Sequence, residues 1–110
     1  MALVLLAAGC GASKNVTVAA RSAPGAKHWS GLRFRAAVGT RPSTVDHVLV
    51  VGKSFDVRLK PDSYLLTVAS CAARCRPVCA RRVRLPSGHK IAATVTFFGQ
   101  RCAVNLRLAD

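Results

Sequence analysis

The sequence contains no glutamate, and four aspartates stand against seventeen lysines and arginines in its 110 residues. Paired carboxylates for acid–base chemistry have almost nothing to be built from. Aromatic residues are scarce as well: one tryptophan, one tyrosine and four phenylalanines. No apolar run approaches the roughly 20 residues that a membrane-crossing helix requires. Nor does any stretch beyond a few residues carry an apolar stripe at helical spacing. There is no internal repeat, no G-x-S-x-G elbow around any serine, and no phosphate-binding loop. The three histidines, His28, His47 and His89, are scattered along the chain. An enzyme is not expected, and no cofactor is implied.

What is present begins with "ALVLLAAGC". From Ala2 to Ala8 every residue is Ala, Leu or Val, a run that spans only about 10 Å as a helix. An apolar run ending in small residues is the shape of a secretory signal and its cleavage site. Leu6-Ala7-Ala8-Gly9-Cys10 resembles the lipobox of bacterial lipoproteins, in which the chain is cut before the cysteine and its thiol is lipidated. Small side chains at Ala8 and Gly9 suit a narrow peptidase cleft. No basic residue precedes the run, which points to a start further upstream. The organisation expected is a signal segment over residues 1–9, a lipidated Cys10 and tether over 10–30, and one domain over 31–110. The tether contains Pro24-Gly25 and an expected short edge strand at Val16–Ala20. Asn15-Val16-Thr17 has the form of a glycosylation sequon and is expected to be bare in a bacterial chain. Trp29, at the domain boundary, is expected to cap the core.

From Gly31 the apolar period is two. Leu32, Phe34, Ala36 and Val38 share one face, with Arg33 and Arg35 on the other. "HVLVV" reads as a short continuous apolar strand, "SFDVRL" alternates again, and "YLLTVAS" is rich in strand formers. Turn signals recur every 8 to 12 residues or so, the pattern of an all-β sandwich. The best-specified piece is the last hairpin. With Gly99-Gln100 as a two-residue turn, Phe97 pairs with Cys102, Val95 with Val104, Ala93 with Leu106 and Ile91 with Leu108. A slip of one residue would destroy the segregation of apolar from polar faces.

Phe55, Val57, Leu59, Pro61, Tyr64, Leu66 and Val68 lie in the order and spacing of an F-x-V-x-L-x-P-G-x-Y-x-L-x-V signature. The stretch resembles carboxypeptidase-regulatory-like, transthyretin-like sandwich domains. That resemblance covers about residues 31 to 108 and implies a small antiparallel β-sandwich serving as a non-catalytic accessory or adhesion module. The family usually has Gly where this chain has Asp62, so the turn is expected to place Asp62 in a left-handed conformation.

Four cysteines remain once Cys10 is lipidated: Cys71, Cys75, Cys79 and Cys102. In an exported small domain an even number reads as two disulfides. The expected pairing is Cys79 with Cys102, both on inward phases, leaving Cys71 with Cys75. For Arg81, which shares the phase of Cys79, this requires a strand beginning after it or a place at an open edge. The alternative is a metal or thiol-redox module built from Cys71, Cys75 and Cys79 with His89 as a fourth ligand. The C-x3-C-x3-C spacing departs from the C-x2-C of many zinc sites. Free-thiol titration separates the two.

Arg74, Arg76, Arg81, Arg82 and Arg84 fall within eleven residues, in a chain of formal net charge +13. Such a patch suits anionic envelope polymers or lipid head groups. No aromatic residue is interleaved to stack on bases, so nucleic acid is not an expected partner. The reading is a membrane-anchored, non-catalytic binding or structural module on the extracytoplasmic face. A solvated arginine-rich loop in an arginine-biased proteome is the plainer reading of the patch itself.

Overall fold

The computed structural model describes residues 14–109, and Cys10 with its lipobox-like surroundings lies outside them. Eight strands form: β1 (Val16–Ser22), β2 (Leu32–Ala37), β3 (Val45–Val48), β4 (Ser54–Val57), β5 (Ser63–Ser70), β6 (Arg76–Arg84), β7 (Ile91–Phe98) and β8 (Arg101–Leu108). They make two four-stranded sheets, ordered β4-β1-β7-β8 and β3-β2-β5-β6. No helix occurs among the described residues. The all-β two-sheet architecture is the one the period-two patterning predicts.

The two inner faces supply the core. Val16, Val18 and Ala20 of β1 meet Ile91, Ala93, Val95 and Phe97 of β7 on one side, with Leu32, Phe34, Ala36, Tyr64, Leu66 and Val68 on the other. Alternation along each strand puts these side chains inward and their neighbours outward. The β7–β8 register matches the expected hairpin at all four pairs, from Phe97↔Cys102 to Ile91↔Leu108. Gly99 has φ +55° and Gln100 has no positive φ, the combination of a type II′ turn. The apolar face runs out at its far end, where Leu108 is exposed.

Three local expectations are corrected. Val16–Ser22 is no edge strand: β1 lies inside its sheet, antiparallel to β4 and parallel to β7. This strand therefore belongs to the domain, and the tether expected over residues 10–30 does not extend through it. Asn15 opens the domain by pairing with Leu59 through its side chain, Nδ2 donating to the Leu59 carbonyl and Oδ1 accepting from the Leu59 N–H, each at 2.8 Å. The sequon amide is thus engaged inside the fold.

Secondly, "HVLVV" is not one continuous strand. β3 ends at Val48, only Leu49 is buried, and Val48, Val50 and Val51 are exposed. The chain turns there, with the Gly52 N–H on the Ala20 carbonyl at 2.7 Å, to cross into the other sheet. The strands on either side of Pro61-Asp62, β4 and β5, do not pair with each other. β4 joins β1, β5 joins β2 and β6, and Pro61-Asp62 carries the chain between sheets. Thirdly, Asp62 is not left-handed, since among the described residues only glycines have positive φ. Its carboxylate instead accepts the Ser63 N–H at 2.7 Å, and Tyr64 Oη donates to the Lys60 carbonyl at 2.7 Å.

Candidate functional site

The sulfur chemistry among the described residues lies in two disulfides, one of them in the β5–β6 connection. Cys71 pairs with Cys75, and Cys79 with Cys102, as the phase argument predicts. The two bonds sit in different settings. Cys79 on β6 and Cys102 on β8 have Cα atoms 5.5 Å apart and join the edges of opposite sheets. Closing that loop restricts the unfolded chain by roughly 3 kcal/mol. Arg81, two residues on, also lies on the inward phase, opposite Leu66. At this open edge its Nη1 reaches the Val104 carbonyl at 2.8 Å. The seam between β6 and β8 thus has a covalent and a polar closure side by side.

Cys71–Cys75 lies at one end of the sandwich. The Cys71 N–H donates to the Gly31 carbonyl at 2.8 Å, and Ser70 Oγ donates to the Ser30 carbonyl at 2.7 Å, so the loop is tied to the start of β2. Cys75 is exposed and Cys71 half-buried. From the outer face of β2, Arg35 reaches this disulfide: its Nη2 stands 3.2 Å from Cys75 Sγ and 3.9 Å from Cys71 Sγ. Asp46 on β3, directly across from Arg35, orients it. Arg35 Nε lies 3.3 Å from Asp46 Oδ2, close enough to attract but not aligned for a hydrogen bond. Arg33 Nε does donate to Asp46 Oδ1, at 2.6 Å. That hydrogen bond holds the Asp46 carboxyl below the usual carboxylate range; burial opposes it, and the nearby Arg35 charge adds to the lowering.

The metal alternative loses its geometry. Its three cysteines are divided between two disulfides, and His89 lies in the β6–β7 turn, beyond the far end of β6. The described residues bring no three His, Cys, Asp or Glu side chains together.

The five arginines do not form one cluster. Arg74 and Arg76 flank Cys75 at one end, Arg84 stands at the other end of β6, and Arg81 turns into the seam. Arg82 and Arg84 alternate outward opposite Leu65 and Ser63. The result is a ridge about 27 Å long along an edge strand. Sequence reasoning missed a second basic region. Lys14, Arg58, Lys60, His89 and Lys90 surround a shallow depression at the end of the sandwich where the chain enters β1. These residues come from three separate stretches, so no local charge run signals them. At the opposite end Trp29 packs on the core as expected, with Lys27 Nζ 4.3 Å above its ring.

Compared with known proteins, the chain matches no family model, no curated protein and no solved structure.

Proposed function

We propose that the protein is a non-catalytic lipoprotein of the bacterial cell envelope, a β-sandwich module of the carboxypeptidase-regulatory-like, transthyretin-like kind, anchored through Cys10. One observation carries this reading: the lipobox-like Leu6-Ala7-Ala8-Gly9-Cys10 stands just ahead of a domain stapled by two disulfides. Disulfides persist outside the reducing cytosol, so both features ask for export.

Asn15 is locked into the sandwich through Leu59 and follows Cys10 by five residues. Even fully extended, that link reaches only about 17 Å. A lipid on Cys10 therefore keeps the entry end of the sandwich near the membrane, and that end carries Lys14, Arg58, Lys60 and Lys90. Basic side chains within a Debye length of anionic head groups add to the hold of the acyl chains. The partners of this reading are the membrane and, along the β6 ridge, anionic envelope polymers.

Cell fractionation with mass measurement of the mature N-terminus tests it. The wild type should begin at an acylated Cys10 and sediment with membranes. Cys10→Ser should be released or keep its signal uncut. A correctly processed Cys10→Ser protein that still sediments with membranes defeats the lipoprotein reading.

A further inference from the structure

We propose that the Cys71–Cys75 disulfide is a site of reversible thiol–disulfide exchange whose co-reactants are anionic thiols. This goes beyond the anchoring role and does not depend on the fate of Cys10.

Three observations converge on it. First, the bond is accessible, with Cys75 exposed and only Ala72, Ala73 and Arg74 in the loop it closes. Cys102 of the other disulfide is buried at 7 % exposure beneath the seam. Second, a guanidinium is already in place on the sulfurs. Arg35 Nη2 is 3.2 Å from Cys75 Sγ, and the carboxylate of Asp46 keeps Arg35 on station. A cation beside sulfur stabilises the thiolate, and a more stable thiolate is the better leaving group in exchange. Third, Arg74 and Arg76 flank Cys75 and are exposed, so an approaching thiol meets three positive charges.

The chemistry follows from that placement. An incoming thiolate attacks Cys71 Sγ, and its electron pair forms the new sulfur–sulfur bond. The Cys71–Cys75 bond breaks, and its pair leaves on Cys75 Sγ as a thiolate facing Arg35. Return attack by Cys75 on Cys71 Sγ expels the thiol and restores the disulfide. Alternatively a second thiolate attacks the outer sulfur of the mixed disulfide, releasing an external disulfide and the Cys71 thiolate, which takes a proton from water. Two external thiols are then oxidised as one protein disulfide is reduced. The fold need not open, because β5 and β6 stay paired over Ser63–Val68 and Cys79–Cys102 still closes the seam.

The test uses the full chain with its disulfides formed, treated with glutathione (net anionic) or cysteamine (cationic). Timed alkylation and peptide mapping report each cysteine, and circular dichroism reports the fold. With glutathione, Cys71 and Cys75 should be labelled at least tenfold faster than Cys79 and Cys102, with the spectrum unchanged. Per thiolate, glutathione should outpace cysteamine several-fold, and added salt should shrink that advantage. Arg35→Met should slow exchange about tenfold and raise the pH at which Cys75 is alkylated, while Arg35→Lys should recover part of the rate. Simultaneous labelling of all four cysteines with loss of the spectrum overturns the proposal. So does cysteamine matching glutathione in the wild type, a result that stands even if the Arg35 variants fail to fold.

Discussion

Arg81 Nη1 donates to the carbonyl of Val104 across the seam between the two sheets, at 2.8 Å, beside the Cys79–Cys102 bond. An arginine on the inward phase of a strand is ordinarily a fault, since its charge would enter the core. Here β6 is an edge strand, so the guanidinium leaves the sandwich sideways and meets a carbonyl of the other edge. Arg81→Ala should destabilise the domain by about 1 kcal/mol in urea unfolding, the usual worth of such a bond. Arg82→Ala, on the outward phase, should shift the midpoint by much less. Equal effects of the two would show that the seam contact contributes nothing.

Asn15 uses its side-chain amide as a backbone substitute, exchanging two hydrogen bonds with Leu59 before β1 begins. Its own backbone carbonyl accepts the Ile91 N–H at 2.8 Å. Replacing it with Ala leaves the part-buried Leu59 groups unpaired, a loss of about 1–3 kcal/mol. Asn15→Asp keeps the acceptor but loses the donor, so it should fall between. Thermal unfolding of both variants ranks them. An Asn15→Ala protein as stable as the wild type would place the start of the domain later in the chain.

Gly31 has φ +62°, and a Cβ there would stand 2.9 Å from the Cys71 backbone carbon and 3.0 Å from its oxygen. Backbone atoms cannot move aside as a flexible side chain can, so Gly31→Ala combines a strained dihedral with a steric overlap. The expected cost is about 1–3 kcal/mol. The variant should also loosen the Cys71–Cys75 loop, seen as faster amide exchange at Cys71, whose N–H sits on the Gly31 carbonyl. At Gly25 the same substitution has open space, so only the dihedral term applies and the loss should be smaller.

Where two strands are neighbours in sequence and one face is buried, the pattern of residues was enough. The β7–β8 hairpin has a glycine turn and eight face-consistent residues, so its register could be read directly. The phase of Cys79 and Cys102 likewise identified partners on different sheets. What could not be read were relationships between distant segments. The parallel pairing of Val16–Ser22 with Ile91–Phe97 leaves no local signature, and small polar neighbours made β1 look like part of a tether. The same holds for Arg35 at the Cys71–Cys75 bond, 36 residues from the first cysteine and 40 from the second. Alternation showed that Arg35 faces outward, but only the pairing of β2 with β5 shows what lies there.

Asp46 makes the stability of the domain depend on acid. Arg33 and Arg35 hold its carboxyl below the ordinary value near 3.8, so the folded state binds the proton less readily than the unfolded chain. Stability from the pair is therefore fully present above the unfolded value and is lost as pH falls through the lower folded one. The side chains of Asp46, Arg33 and Arg35 are 41 %, 34 % and 30 % exposed, so water screens the interaction and its worth is about 0.3–1 kcal/mol. Asp46→Asn should be less stable than the wild type by that amount at neutral pH. The two unfolding curves should converge as pH falls below the ordinary value near 3.8, and high salt should narrow the gap at neutral pH. A gap that persists once the carboxyl is protonated in strong acid would mean that Asp46 acts through packing or neutral hydrogen bonds rather than through its charge.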